Sequence, residues 1–492
     1  MGIRDRLSSL VREAPAETEA IEHDETWYSW GWVRTVAAAT AKHLEAAGLG
    51  PASRIGIVLE SRPEHVAVLL AVLGTGRCVV TLSPLQPAAR LAADIARSDL
   101  PVVIAGPEIF TRDGVLEAAV AGGLALQANP SGEITGRGGA PAPDAATATG
   151  VAIEMLTSGT TGPPKRVRLT DRQLDSSLVS SASTPKNGRL LSRSVSLVAT
   201  PLVHIGGLWG VLASLYAGRR LALMPKFELA GWVSAVERHR LRASGLVPAA
   251  LRTVLDANVP AEKLSSLQVV TSGTAACPPE LADEFQRRYG IRVLMTYGAT
   301  EFAGAVAGWT LPLHERWWSG KAGSAGRAFP GVELRITGDD GAELPAGRTG
   351  RLEVRTAQSA AGDWTRTSDL AWIDEDGFVW IKGRADDTIV RGGFKVQPET
   401  VKNVLETHPA VREAAVAGLP DERLGAVPVA VVELAPGRDF PGEAELKALC
   451  RQQLTPYEVP KHIVAVDELP RTPSMKVSRV ELLDQVRAAL ED

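Results

Sequence analysis

Short, wholly apolar runs alternate with helical periodicities through the first 130 residues, and this alternation constrains the chain more than any other feature. Val33, Val36, Ala37, Thr40, Ala41 and Leu44 recur at helical spacing, and Gly48 ends the run. An apolar strand is predicted at 55–59. Ser61 and Glu64 then stand three apart around Pro63, the pattern of a capping box, before a helix through Val72. Residues 79–82 and 102–104 read as further buried strands with a helix between them. Strands without polar alternation, separated by helices, predict parallel pairing and an α/β layer structure.

Further along, residues 127–150 are rich in Gly, Pro and Ala and aperiodic, and are expected to be a surface linker. Strand-like runs return at 151–156, 195–200 and 266–271, and 320–382 is turn-rich and β-like. The last 106 residues form their own small pattern. It comprises helices near 398–407 and 442–454, with strands near 411–417, 427–434 and 462–466. At 492 residues the chain has room for about three domain-sized units.

Composition excludes several classes. Lys and Arg number 53 against 57 Asp and Glu, so no basic field invites nucleic acid. The three cysteines, Cys78, Cys277 and Cys450, have no zinc or disulfide spacing, which suits a reducing compartment. The charged N-terminus lacks the apolar core of a signal peptide. The apolar stretch 202–218 contains His204 and four glycines and reads as buried core, so no membrane span and a cytoplasmic location are expected. No histidine pair has i,i+4 spacing, residues 322–326 miss a nucleophile elbow by one glycine, and no dinucleotide-binding glycine fingerprint opens a helix.

Four clusters carry chemistry. Thr157-Ser158-Gly159-Thr160-Thr161-Gly162-Pro163-Pro164-Lys165 follows an apolar strand and offers hydroxyls, glycine N–H groups and a lysine, the lining that phosphate oxygens require. It is not a Walker A loop, and taken alone it is also what a Ser/Thr/Gly linker looks like. Tyr297-Gly298-Ala299-Thr300-Glu301 places a base-stacking ring near one carboxylate able to hold Mg²⁺; an exposed turn reads the same way. Asp369 and Arg384 offer an acceptor for two ribose hydroxyls and a fork of donors, or the ends of a hairpin turning at 374–377. Lys476 lies on a turn-rich loop.

In their order and separation these clusters resemble the adenylate-forming superfamily of acyl-CoA synthetases, peptide-synthetase adenylation domains and luciferases. The resemblance runs from about Tyr28 to about Arg479. It implies a large N-terminal domain, 1–385, of parallel α/β layers plus a β-rich section, and a small mobile α+β C-terminal domain, 386–492, hinged at Asp386. It implies ATP and Mg²⁺ as cofactors, with Thr157, Ser158, Gly159, Thr160, Thr161, Gly162, Lys165, Thr274, Tyr297, Gly298, Thr300, Glu301, Asp369, Arg384 and Lys476 around the nucleotide. Thr161 and Glu301 would hold the metal, and Lys476, Thr161, Lys165 and Glu301 would be catalytic. His204, Gly206, Phe302, Gly392 and Gly393 would line the acyl and coenzyme A path, and Trp309, Trp317 and Trp318 are further candidates near the site. No acid stands in 201–208 to meet an α-ammonium group, so an amino acid is not the expected substrate.

The activity implied is ATP-dependent carboxylate–CoA ligation through an acyl-adenylate. The alternatives are loading of a separate carrier protein and a non-catalytic nucleotide-binding homologue. No carrier motif follows the C-terminal pattern, so a free-standing ligase is expected. Three positions depart from the family pattern: Arg166, Ser368 and Met475 stand where glycine is usual. Arg166, directly after Lys165, is expected to add a cation beside the triphosphate.

Overall fold

The computed structural model describes residues 2–139, 147–156, 166–356, 363–392, 394–471 and 477–491, apart from 181–188. They divide into two compact units: those up to Val332, and those of 333–355 and from Asp363 onward.

The first unit is built on a seven-stranded sheet. Its order is Ile134–Gly138, Leu124–Ala128, Val102–Ala105, Arg54–Val58, Cys78–Leu82, Val151–Leu156, Arg166–Thr170. The inner strands are parallel, and the two outermost pair antiparallel to their neighbours. Apolar side chains fill both faces: Ile55, Ile57, Val79, Val102 and Ile104 pack on one side, and Val58, Val80, Leu82 and Val103 on the other. This two-sided burial is why the strands read as unbroken apolar runs. A four-stranded sheet holds Val195–Val198, Arg220–Leu223, Glu19–His23 and Thr26–Ser29, and a five-stranded sheet runs from Ala243–Gly245 to Arg327–Ala328.

Two local expectations are corrected. The predicted linker contains an edge hairpin, Leu124–Ala128 with Ile134–Gly138. Only Ile134 of the second strand is buried, so main-chain pairing forms it and no side-chain period announces it. The helix Pro63–Gly74 is capped by Arg62 without a side-chain bond. Ser61 instead accepts a hydrogen bond from the Leu202 N–H at 3.1 Å. By contrast, the helix Trp30–Ala46 follows its periodicity and is capped by Ser29, whose side chain accepts from Trp32 N–H. The 202–218 stretch carries the mostly buried helix Ile205–Tyr216. Among the described residues no helix is long and apolar enough to cross a membrane.

The second unit contains the sheet Val332–Thr337, Gly350–Thr356, Thr365–Ile373, Val379–Arg384 and a terminal layer. In that layer Phe394–Val396, Ile389–Arg391, Gly425–Leu434 and Val411–Asp421 form the sheet, with His462–Val466 parallel to Gly425–Leu434. Val401, Leu405, Leu446 and Cys450 cover one face of Gly425–Leu434, and Leu482 and Val486 the other. The expected boundary at 385/386 falls inside this unit, because Val379–Arg384 packs beside the helix Pro398–Leu405. A Cβ on Gly383 would lie 3.1 Å from the Gln397 side-chain oxygen.

Candidate active site

In the first unit, the strands Val151–Leu156 and Arg166–Thr170 pair with Leu156 opposite Arg166, so residues 157–165 join two adjacent strand ends. Thr157, Ser158, Gly159, Thr160, Thr161, Gly162 and Lys165 themselves lie outside the described residues. The strand Arg292–Ala299 ends in Tyr297-Gly298 and passes into a 3₁₀ turn, Thr300–Phe302, before returning antiparallel as Gly304–Gly308. The backbones approach so closely that a Cβ on Gly298 would lie 2.1 Å from the Gly304 carbonyl oxygen, which fixes glycine there. The turn leaves Glu301 exposed and Tyr297 half-buried, and buries Phe302. Beside Arg292–Ala299 the parallel strand Val269–Ser272 leads to Thr274, an exposed β-branched residue held at φ +69°. A threonine in the left-handed region is strained, and such strain gathers at functional sites.

His204 is the N-cap of the helix Ile205–Tyr216. The two glycines after it differ. A Cβ on Gly207 would meet the Pro201 carbonyl at 2.3 Å, whereas one on Gly206 would meet only Thr200 Cγ2 at 3.9 Å. Gly207 is demanded by packing, while Gly206 leaves open space.

The elements that carry these residues are tied together by a residue the sequence does not single out. Ser177, on the helix Asp171–Ser180, donates to the Ala303 carbonyl at 2.9 Å and accepts from Trp209 Nε1 at 2.9 Å. It links the helix that follows the strand Arg166–Thr170 to the turn of Glu301 and the helix of His204. Gly304, at φ +140°, lies against this pair, and a Cβ there would come within 2.9 Å of Ser177 Oγ.

In the second unit, Asp369 faces Arg384 across the hairpin formed by Thr365–Ile373 and Val379–Arg384. The hairpin turns at 374–377, where Asp374 accepts from the N–H groups of Asp376 and Phe378. Trp372 and Trp380 stack across it at 5.2 Å. Arg384 donates both prongs of its guanidinium to Asp386, at 2.9 and 2.6 Å. That bidentate pair holds the Asp386 carboxyl below the usual carboxylate range and strengthens the guanidinium as a base. Beyond it, Arg391 pairs opposite Phe394, with Gly392 between them at φ +57°. Phe394 stacks on Tyr457 at 4.6 Å. Gly393 and Lys476 lie outside the described residues.

The sequence matches the AMP-binding enzyme family over residues 9–364 and the AMP-binding enzyme C-terminal domain over residues 400–476. The chain belongs to the AMP-binding enzyme family. As a member it is an AMP-forming acid–thiol ligase of the adenylate-forming superfamily, with the mixed α/β fold and two domains of unequal size expected from its motifs. It is 32% identical over 495 residues to the indoleacetate–CoA ligase of Aromatoleum aromaticum, covering 94% of each chain. It is 29% identical to the fatty acid–[acyl-carrier-protein] ligase of Streptomyces coeruleorubidus, covering 90% of this chain and 89% of that one. The O-succinylbenzoate coenzyme A synthetase of Bacillus subtilis, solved in complex with ATP and magnesium ion, superposes with a TM-score of 0.80 at 25% identity, covering 98% and 99% of the two chains.

Two of the three departures from the AMP-binding pattern are accommodated without strain. Arg166 and Ser368 both sit in strands, and neither has positive φ, so glycine's freedom is not needed at either place. Met475 lies outside the described residues. The expected role of Arg166 is corrected. Its guanidinium reaches both Asp94 carboxylate oxygens at 3.1 Å, Ser98 Oγ at 3.0 Å and the Thr81 carbonyl at 2.9 Å, so its charge is spent inside the protein. Trp309 and Trp318 are likewise engaged internally: they pack edge to face, and their Nε1 groups bond Ser324 O and Asp283 Oδ1. Trp317 is flanked by the cations Arg316, Lys321 and Arg327.

Proposed function

We propose that this enzyme activates a carboxylic acid other than an amino acid as its adenylate and passes the acyl group to the thiol of coenzyme A. Membership of the AMP-binding family supports the reaction class. The observation that carries the nucleotide assignment is the register of Asp369 against Arg384 at the open end of a hairpin, a carboxylate beside a guanidinium. A carboxylate accepts both hydroxyls of a ribose, and Arg384, whose fork is gripped by Asp386, stands opposite it in the register.

In the first half-reaction a carboxylate oxygen attacks the α-phosphorus of ATP, the bond to the β-phosphate breaks, and pyrophosphate leaves. Thr160, Thr161 and Lys165 hold the departing phosphates, Tyr297 stacks on adenine, and Thr274, Gly298 and Thr300 line the base. The single exposed carboxylate of Glu301, with the Thr161 hydroxyl, suits Mg²⁺, which keeps several waters and binds phosphate oxygens through one or two carboxylates. Bound there, the metal neutralises charge on the phosphates. Lys476 bridges the α-phosphate and carboxylate oxygens as charge builds between them. In the second half-reaction the thiol sulfur attacks the acyl carbon, AMP leaves, and the thiol proton passes to solvent. Asp386 is the pivot between 1–385 and 386–492 that exchanges Lys476 for the Gly392-Gly393 segment, where missing side chains let a pantetheine arm pass. His204, Gly206 and Phe302 line the acyl pocket.

The similarity to a carrier-protein ligase supports a second reading, in which the accepting thiol belongs to a separate carrier. A pyrophosphate-release screen over short, long, aromatic and polycyclic acids tests the proposal, with mass spectrometry of the thioester formed from coenzyme A or from a phosphopantetheinylated carrier. Acid-dependent release with an acyl-CoA product supports it. Release without acid dependence, or none with any acid, contradicts it.

A further inference from the structure

On the face of the central sheet that carries the helix Ala88–Ser98, four arginines line one cavity. Its volume is about 400 Å³, within the range of small-molecule sites. Arg54, Arg97, Arg166 and Arg168 form its wall with Asp94 and Ser98, and the exposed Asp99 completes the charged lining. The turn of Glu301 belongs to the other face of the sheet. Leu91 and Ile95 of the Ala88–Ser98 helix pack with Val58, Val80 and Leu82. Leu174 and Leu178, from the helix of Ser177, pack with Ile57, Val79 and Ala303.

The four guanidiniums are not equally engaged. The inner two are neutralised: Arg166 Nη2 reaches both Asp94 oxygens at 3.1 Å, and Arg54 Nη2 holds Glu154 Oε2 at 2.8 Å, with both carboxylates 2% exposed. The outer two, Arg97 and Arg168, are 67% and 68% exposed, and each has only a share of an acid already taken. Arg97 donates once, to Asp94 at 3.3 Å. Arg168 Nε lies 3.2 Å from Glu154 Oε1 without a directed hydrogen bond. Four arginines therefore face three acids, Asp94, Asp99 and Glu154, and the surplus charge sits on the two outer forks. Arg166 stands where glycine is usual in the family, so the family pattern does not supply this wall.

We propose that the cavity binds the diphosphate group of a small anion, gripped by Arg97 and Arg168. A guanidinium presents paired N–H groups that match phosphate oxygens. A lone carboxylate would satisfy one fork, whereas two forks ask for two adjacent anionic groups. An anion between them also relieves the repulsion of converging cations. Inorganic pyrophosphate and a nucleoside diphosphate present the same group. The site does not depend on the function proposed above.

Calorimetric titration of the full-length protein with inorganic pyrophosphate, without a carboxylic acid substrate, tests the proposal. ADP, inorganic phosphate and sulfate are further arms. A pyrophosphate-binding component should weaken at least tenfold in Arg97→Gln/Arg168→Gln, because hydrogen bonds between charged groups are the strong ones. It should tighten about two- to fivefold in Asp99→Asn, which removes an exposed rival acid, and weaken as salt rises. The KM for ATP in the double variant should stay within about twofold of the parent, which sets the component apart from the nucleotide site. Arg90→Gln, which removes an exposed arginine of the same helix outside the cavity, should leave pyrophosphate binding unchanged. Binding of ADP to the same component supports the site with a nucleotide as the source, and its absence supports it with inorganic pyrophosphate. Equal pyrophosphate binding in parent and double variant overturns the proposal. So does phosphate or sulfate bound as tightly as pyrophosphate, or a KM for ATP that rises in step with the loss.

Discussion

Arg166 and Asp94 form a pair in which the carboxylate is 2% exposed and the guanidinium 16% exposed. The arginine begins the strand that follows the phosphate-motif segment, and the aspartate lies on the helix Ala88–Ser98. Glycine is usual at this position in the family. Here a charged side chain is accepted because a buried acid, a serine hydroxyl and a carbonyl receive it.

Asp94→Ala should destabilise the protein by about 3 kcal/mol, the scale for stripping one partner from a buried ion pair. Asp94→Ala/Arg166→Ala should cost less than the sum of the single changes in urea denaturation. Because the Arg166 charge is neutralised internally, any rise in the KM for ATP in Arg166→Gly should not shrink at high salt. A strongly salt-dependent KM would return Arg166 to the phosphates.

Ser177→Ala leaves the half-buried Trp209 Nε1 and the buried Ala303 carbonyl without their shared partner, at about 1–3 kcal/mol for the buried carbonyl left unsatisfied. The melting temperature should fall, and the KM for Mg-ATP should rise, as the turn bearing Glu301 loosens. Gly304→Ala should be worse than Ser177→Ala, since it combines a left-handed φ with a close contact. An unaltered KM in both would separate the Ser177 link from the Glu301 turn.

Asp386→Pro loses the N–H and the carboxylate that Arg384 grips, and fixes φ at the pivot. First-turnover pyrophosphate release should persist while thioester formation slows. Rapid-quench measurement of both products distinguishes this from a general loss, which would argue against a pivot at Asp386.

All three cysteines are buried and free. Burial pushes the Cys78 and Cys277 thiols up to about 12 and Cys450 to about 11. At pH 8 a thiol reagent should report no fast-reacting group in the native protein and three in guanidinium. Unfolded thiols ionise near pH ~8.5, so the unfolded chain binds fewer protons than the folded one above that value. The cysteines' contribution to stability should therefore be full below pH ~8.5 and decline as pH rises toward 11, read from urea midpoints. A midpoint that rises over this range would contradict the burial.

The layers were legible because both faces of the central sheet are apolar, so Ile55, Val80 and Val103 announce strands without any long-range information. The terminal layer was legible for the same reason: Val429 and Val431 face one side of the sheet and Ala430 and Val432 the other. What stayed hidden depends on partners distant in sequence. Ser61 resembles a cap, yet its hydroxyl is taken by Leu202, 141 residues away. Arg166 resembles an additional phosphate contact until Asp94 is seen behind it. Ser177 has no local pattern, because its partners lie at 209 and 303. The edge strand Ile134–Gly138 is made chiefly by backbone pairing, with Ile134 its one buried side chain. In the site, residue types and order pointed to the nucleotide, whereas the strain at Thr274 and the grip of Arg384 on Asp386 are conformational.

The central claim is that the acid's own oxygen becomes bonded to the α-phosphorus. An acid selected by the pyrophosphate-release screen, labelled with ¹⁸O in its carboxylate, tests it most directly over complete turnover with ATP and coenzyme A. The account predicts one labelled oxygen in AMP and none in pyrophosphate, by mass spectrometry. Label in inorganic phosphate with ADP as co-product, or unlabelled AMP, would contradict adenylate formation.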